Sequence, residues 1–533
     1  MSTLPAPEVE RFVDSGPITA DGLLRRRARQ KADAVALRDP PNRQMLDLAQ
    51  PRSLTYGAAD TMVDALAAVF ADLGLAPGDR IVLQLPNFVE APLALLGAWR
   101  AGLTVAAVPM LWRAAELARV CDAVEPKALI GVSHFAEDAP AERLRDVAAT
   151  RMSVRFVLGF GSDLPDGVVS LDTAMGAYPV SDFEPRHHAG PSLITFTARA
   201  GKSLVPLFRR EDEILAQGAM AVLSLSLDRS DTILNAYPFT GPIGLGLGLA
   251  PWLIGGATLV QHHPFDYGVF VQQILTSGAT VTAMPSAILA ELGADRVLMD
   301  PQCNLRRVGR VWSPPELADP AAPLKHMAME NLSRPVFDLY PLGDLASLLL
   351  RPAPAADRAA LPLGPVQFGE DSGGTVFAET KLADESGELL LRGPVVPQGR
   401  SNGPVARDQD GFVATGLRGH AERSARLRLK RDPALIHHGG FTIATSELDG
   451  LYQAFPGFLD AACFVLPDPI VGDRLFGAVA PSPNVPVSLE ALHRFLMERG
   501  VAPYKFPDKL LVVKEIPRDA HGVILRDEIL RQV

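Results

Sequence analysis

Cysteine is nearly absent from this 533-residue chain, with only Cys121, Cys303 and Cys463, far apart. An odd, scattered set excludes a disulfide scaffold and a Cys-based zinc site. It fits a reducing compartment, so a cytoplasmic location is expected. A basic excess is also missing: 51 Lys and Arg stand against 61 Asp and Glu, a net charge of −10. That balance argues against a nucleic-acid partner, which needs a basic footprint, and leaves small-molecule chemistry open. Aromatic residues make up only 6%, and no internal repeat or low-complexity tract is present. Met1 to Gly16 carries Glu8, Glu10, Arg11 and Asp14 and no apolar run, so no secretory signal is expected. One uncharged stretch, Asn235 to Gln261, is long enough to cross a bilayer. Its Gly244, Gly246, Gly248, Pro251, Gly255 and Gly256 instead predict a buried helix, a Gly-Gly turn and a short strand, Ala257 to Val260, with no membrane span.

Hydrophobic residues at 47% and charged residues at 21% are near globular averages, and the length allows roughly three to four domain-sized units. Gly 45 and Pro 46 exceed the usual combined share of about 12%, which predicts many turns. Met62, Leu66, Val69, Phe70 and Leu73 recur at helical spacing. Pro77-Gly78-Asp79 is a turn, and Arg80 to Leu85 reads as a strand. A helix from about Val89 to Arg100, a strand Thr104 to Val108, a helix Ala114 to Val124 and a strand Ala128 to Val132 follow. This alternation predicts a parallel sheet covered by helices, and it resumes from Leu193 to about Met284. Pro314 to Pro365 is rich in Pro and Ala and resists assignment. Glu388 to Leu391 and Gly411 to Val413 read as strands of a β-rich region. Arg423 to Arg431, with five basic residues in nine, reads as a linker or hinge. Beyond it, Glu447 to Gln453 reads as a helix, Ala461 to Leu466 as a strand, Ser488 as the N-cap of a helix to Arg499, and Lys509 to Val513 as a last strand.

Several ordered motifs resemble the ANL superfamily of adenylate-forming enzymes, the acyl-CoA synthetases and their relatives. Pro77-Gly78-Asp79-Arg80, Leu85-Pro86-Asn87 and Ala101-Gly102 are similar to its N-terminal pattern. Leu466-Pro467-Asp468-Pro469 with Gly472-Asp473 resembles its VPDPxxGE, Tyr504-Lys505-Phe506-Pro507 its YKxP, and Ile516-Pro517-Arg518 its closing LPR. Gly439-Gly440 with Glu447 resembles its GGxxxxPxEIE, with Thr445 where Pro is usual. The likeness covers roughly residues 50 to 533. It implies an α/β fold: a large N-terminal domain of α/β layers plus a β-rich subdomain (1–430), then a small mobile α+β C-terminal domain (431–533). It also implies ATP and Mg²⁺ for carboxylate adenylation, then transfer to a thiol such as CoA.

The motifs that should carry that chemistry depart from the family. The phosphate loop T-S-G-T-T-G-x-P-K-G becomes Thr197-Ala198-Arg199-Ala200-Gly201-Lys202-Ser203-Leu204-Val205-Pro206. It keeps Thr197, Gly201 and Lys202 as nucleotide-contact candidates but loses the hydroxyl cluster. YGxTE becomes Tyr340-Pro341-Leu342-Gly343-Asp344. Here the resemblance implies adenine stacking by Tyr340 and Mg²⁺ binding by Asp344, the one metal-ligand candidate. GGAPL is not recognisable in Trp312-Ser313-Pro314-Pro315-Glu316-Leu317. TGD becomes Thr415-Gly416-Leu417, and Leu417 cannot accept the ribose hydroxyls. Arg431 matches the hinge arginine, with ribose or phosphate as its implied contact. PRTxxGK becomes Pro517-Arg518-Asp519-Ala520-His521-Gly522-Val523, so Val523 stands where the catalytic Lys should be and His521 is a weak substitute. Losing one transition-state donor typically costs ~10²–10³ in rate. The acyl-site His is missing from Ala236 to Ile243. Gly439 and Gly440 remain as the implied pantetheine contacts.

Gly201-Lys202-Ser203 imitates the end of a Walker A loop, but Phe196 stands where that loop requires Gly. The pairs His187-His188, His262-His263 and His437-His438 are expected as loop or surface residues, since neighbours on a strand face opposite ways. The sequence therefore predicts an acid–thiol ligase-like protein for a carboxylic acid or acyl-CoA, with adenylation impaired or lost. The alternative is a non-catalytic pseudoenzyme that binds a ligand or a protein partner.

Overall fold

In the computed structural model, the described residues are 18–532 apart from 179–181, 315–334, 351–360, 369–374, 385, 398–406, 423–425, 469 and 484–485. Pro315, Glu316, Leu317, Pro469 and the Met1–Gly16 segment lie outside them.

The strand–helix rhythm produces two sheets that share one core. One runs Val169–Ser170, Phe156–Phe160, Ala128–Val132, Arg80–Leu83, Thr104–Ala107, Leu193–Arg199, Lys202–Arg209, parallel until the last strand. The other orders Ala346–Leu350, Val336–Leu342, Arg307–Val311, Val281–Pro285, Thr232–Asn235, Thr258–Gln261, Val35–Arg38 and Ser53–Thr55, antiparallel only at its edges. Between them lies the helix Glu90–Arg100, buried at every residue. It packs on Tyr56–Asp72, whose Val63, Leu66 and Phe70 are fully buried. Thr55 caps that second helix by accepting from Ala58 N, which fixes its start. Gly97 permits the contact, because a Cβ there would lie 2.7 Å from Leu66 Cβ. Arg100 is fully buried and bonded to Asp21, Asp60 and Asp64, which keeps the charge paired.

The uncharged stretch folds as the sequence predicts in kind but differs in detail. Gly244–Leu249 is a π-helix, Ala250–Gly255 an α-helix, and Thr258–Gln261 a central strand. Among the described residues no helix is long and apolar enough to cross a membrane.

A six-stranded antiparallel sheet follows, ordered Leu361–Pro362, Arg426–Lys430, Val413–Glu422, Glu388–Arg392, Thr375–Leu382, Gly364–Phe368. It corrects the linker reading of Arg423 to Arg431. Arg426–Lys430 is a strand paired with Val413–Glu422, and its Leu427 and Leu429 are buried. Alternating Arg and Leu is a half-buried strand pattern, which the charge density hid. The connection shortens to Arg431–Ala434. The C-terminal part then forms a five-stranded sheet of Phe441–Ala444, Leu435–His438, Gly472–Pro481, Phe458–Asp468 and Lys509–Val512, with helices Thr445–Gln453 and Leu489–Glu498 and a separate core around Leu448, Tyr452, Leu492 and Leu496. The fold class is therefore mixed α/β: a large N-terminal part with a β-rich portion and a small α+β C-terminal part.

Candidate functional site

Strand ends from both large sheets and one edge of the C-terminal sheet enclose a cavity of about 1340 Å³. Its inner wall is apolar and aromatic, with Trp112, Phe196, Tyr237, Met284, Ile288 and Trp312. On the C-terminal side it is closed by His437, Gly439, Gly440, Phe441, Thr442, Tyr504 and Lys505. Phe441 and Tyr504 stack with centroids 4.0 Å apart.

The supposed phosphate loop is a β-hairpin. Leu193–Arg199 and Lys202–Arg209 pair antiparallel with Arg199 opposite Lys202, leaving Ala200-Gly201 as the turn. Gly201 takes the left-handed conformation this turn requires (φ +72°). The residues on either side of this two-residue turn are paired as a ladder, with a register shift between Thr197 and Arg199. Gly201 and Lys202 are exposed and Thr197 is buried. Of the three, only Thr197 lines the cavity.

Thr197 and Asp344 do come together: Thr197 Oγ1 donates to Asp344 Oδ2 at 2.6 Å. Asp344 sits in the tight turn Gly343–Leu345 between Val336–Leu342 and Ala346–Leu350, and both Gly343 (φ +56°) and Asp344 (φ +58°) are left-handed. Gly343 is obligatory, because a Cβ there would lie 2.0 Å from Thr415 O. The turn is held from behind by Arg209, which is fully buried and donates to Thr195 Oγ1 (2.9 Å), to Leu345 O (2.7 Å) and to Asp344 O. Burial pushes this guanidinium down to about 10. No sequence signal marked Arg209.

Other candidates are placed elsewhere. Tyr340 is 3% exposed within the core and does not line the cavity, whereas Pro341, Gly343 and Asp344 do. Thr415 is fully buried and donates to Leu389 O at 2.8 Å. Leu417 belongs to the same core. Arg431 forms an ion pair with Asp473. His521 and Val523 stand on an exposed turn organised by Asp519 Oδ1, which accepts their backbone N–H groups at 2.9 and 2.8 Å. Val523 is 58% exposed, and neither residue lines the cavity.

The histidine expectation also changes. His262 is buried, with Nδ1 2.7 Å from Gln273 Oε1. His263 stacks on Phe135, and burial pushes its imidazole down to about 4. His437 lines the cavity and is likewise pushed down to about 4, by burial first, against the opposing pull of Asp344. Strand pairing sets His437 opposite Thr442, whose Oγ1 donates to Asp344 Oδ2 at 3.3 Å and lies 3.5 Å from His437 Nδ1. Gly439 (φ +58°) and Gly440 (φ +84°) form the turn between these two strands.

Lys505 locks the C-terminal part onto this site. It is 3% exposed, and its Nζ lies 2.7 Å from Glu116 Oε1 and 2.8 Å from Glu447 Oε1. Arg119 adds a second bond to Glu447 at 2.7 Å, and Ala115 N donates to Gly500 O at 2.9 Å.

These residues do not fit ATP with Mg²⁺. The anion cradle is a hairpin and the ribose acceptor is an apolar core residue. The Asp344 carboxylate is engaged by two threonine hydroxyls. No group of three or more His, Cys, Asp or Glu that could hold a metal occurs among the described residues. The Gly439-Gly440 edge does fit a pantetheine arm, because it opens onto the cavity and no atom crowds either Cα.

Residues 24–196 match the family model of the AMP-binding enzymes. A salicyl-AMP ligase/salicyl-S-ArCP synthetase of Mycobacterium tuberculosis (strain ATCC 25618 / H37Rv) is 26% identical, over 97% of this chain and 91% of its own length. A probable CoA ligase of Humulus lupulus is 26% identical over 96% and 95%. Among solved structures, the amide bond synthetase McbA of Marinactinospora thermotolerans superimposes with a TM-score of 0.76 over 97% of this chain and 99% of that one, at 18% identity, which speaks for the fold alone. Family model, relatives and fold agree with the motif order read from the sequence, and the chain is a homologue of the ANL superfamily of adenylate-forming enzymes.

Proposed function

We propose that this is an acid–thiol ligase-like protein that accommodates an apolar or aromatic carboxylic acid, or its acyl thioester, and whose ATP-dependent adenylation is impaired or lost. The observation that carries this reading is the hairpin Leu193–Arg209, which stands where the family's phosphate loop would be. Leu417 in place of the ribose acceptor and Val523 in place of the catalytic Lys point the same way. The aromatic wall of Trp112, Phe196, Tyr237 and Trp312 suits a ring or chain of carbon better than a polyanion. The salicyl-AMP ligase among the relatives supports an aryl acid, and the CoA-ligase relative supports a pantetheine thiol. The domain assignment, 1–430 and 431–533, belongs to the same reading. The second reading, a non-catalytic binding or partner protein, is favoured by the survival of framework contacts such as Glu447–Lys505 while chemistry-bearing positions changed.

The test is ATP–pyrophosphate exchange with a panel of aryl and alkyl carboxylates, beside thermal-shift titrations with ATP, CoA and benzoyl-CoA. The expected result is no exchange above the no-carboxylate control, no shift with ATP, and a shift with benzoyl-CoA. Exchange above control overturns the loss of adenylation.

A further inference from the structure

We propose that His437, Thr442 and Asp344 form a proton relay for acyl exchange between two thiols, in which His437 takes the proton of the incoming thiol and returns it to the outgoing one. This rests on the reading that the cavity holds an acyl thioester.

The hydrogen-bond directions fix the histidine tautomer. Asp344 is an acceptor, so Thr442 Oγ1 spends its only proton on Asp344 Oδ2 at 3.3 Å. Towards His437 it offers a lone pair. The 3.5 Å contact to Nδ1 is therefore Nδ1–H donating to Thr442, at the long end for a hydrogen bond and of the kind that tightens when ligand binds. Nε2 is left as the basic nitrogen of a residue that lines the cavity. Its backbone is anchored separately, His437 N donating to Asp473 Oδ2 at 2.8 Å. The charged groups that face it are Asp344, Arg431, Asp432 and Asp473. Asp344 itself is held by Thr197 and Arg209 of the N-terminal part, so the relay exists only when the two parts meet as they do here.

Among the described residues no other histidine has this position. His438 Nδ1 is spent on Asp473 O at 2.6 Å, His263 stacks on Phe135, and His521 is on the exposed turn. Gly439 and Gly440 follow His437 closely in the chain and form the edge on which a pantetheine arm fits.

The step balances without a nucleotide. The incoming S–H gives its proton to Nε2, and its sulfur attacks the acyl carbon, forming a C–S bond. The existing C–S bond breaks, its electron pair leaves with the outgoing sulfur, and that thiolate recovers the proton from Nε2. Nothing is oxidised or reduced. An ordinary alkyl thiol, with a pKa of about 8.5, is only a few per cent ionised at neutral pH. Burial keeps the His437 ring neutral there, so Nε2 is free to accept, and the Asp344 carboxylate behind Thr442 favours the positive charge that forms on the ring as the proton arrives.

The experiment incubates the full chain with benzoyl-CoA and pantetheine and follows benzoyl-pantetheine by mass spectrometry. The wild type is expected to exceed the buffer rate. His437→Gln is expected to lose about 10²-fold or more and Thr442→Val about tenfold, both with unchanged thermal stability. The loss in His437→Gln should shrink towards unity when the acceptor is an aromatic thiol already ionised at the assay pH. A wild-type rate equal to buffer, an unimpaired His437→Gln, an equal loss with the ionised thiol, or benzoate release without new thioester each overturns the relay. The benzoyl-CoA thermal shift separates the two levels. A shift without exchange overturns the relay alone, and no shift overturns the thioester reading with it.

Discussion

Glu211 opens the helix Glu211–Leu225, and its Oε2 accepts the N–H of Ala20 at 2.8 Å. It thereby ties the start of the helix Ala20–Gln30 to the centre of the fold. Burial pushes its carboxyl up to about 7. The folded state therefore binds this proton more tightly than the unfolded state does. The stabilisation is fully present below the ordinary carboxyl value of about 4.3 and is lost as pH rises through 7. The wild type should lose about 2–3 kcal/mol between pH 5 and pH 8 from this group. The difference in melting temperature between Glu211→Gln and the wild type should therefore move in the variant's favour as pH rises from 5 to 8, as measured by differential scanning calorimetry of both chains in a pH series. At this scale the sequence was legible where a residue carries its own reason. Leu417 cannot accept a hydrogen bond and Val523 cannot carry charge, wherever they lie. Glu211, Arg209 and His437 were not legible, because their roles come from burial and from partners 135 or more residues away in two of these cases and across a domain contact in the third.

Among elements, the glycine-rich segment Gly244–Leu249 shows how packing redirects a helix. A Cβ on Gly244 would lie 2.1 Å from Pro238 O, one on Gly246 3.1 Å from Gln217 Oε1, and one on Gly248 3.0 Å from Asn235 Oδ1. The three glycines let this segment press against a strand end, a loop and a neighbouring helix, and it widens into a π-helix there. Gly244→Ala should destabilise the fold by about 1–3 kcal/mol, the usual cost of overpacking. Gly241→Ala is the control, because its added Cβ meets nothing within 4 Å. Melting temperatures of the two variants decide this, and equal values would contradict the packing account. The sequence announced the segment's burial through its lack of charge, but not the helix type, which depends on what lies opposite. The hairpin Leu193–Arg209 has the same moral. Its β-branched and aromatic residues read as strand, while comparison with a phosphate-loop motif drew attention to the turn. Arg426–Lys430 was misread as a hinge for the converse reason: its charges masked a two-residue alternation.

The whole molecule turns on how its C-terminal part is held. Glu116 and Glu447 face one another through Lys505, and all three are nearly buried. Such a cluster adds little net stability over an apolar contact, but removing Lys505 leaves two carboxylates to share one partly exposed cation, Arg119, at a cost of up to about 3–5 kcal/mol. The order of motifs in the sequence led to the expectation of a C-terminal part starting near Arg431. It did not reveal the contact, because Glu116 is 389 residues from Lys505. Lys505→Met should therefore open the contact while leaving each core intact. The expected readings are a larger radius of gyration in small-angle X-ray scattering and a second thermal transition. Adding Glu116→Gln and Glu447→Gln to the same chain should restore much of the closure, since the penalty lies in the unpaired charges and not in the lost bonds. An unchanged radius in Lys505→Met would mean that the Arg119–Glu447 pair and the Gly500–Ala115 bond suffice to hold the parts together. Opening should also separate Thr442 and His437 from Asp344, so Lys505→Met is expected to lose thiol exchange as severely as His437→Gln, although its side chain makes no bond to the relay.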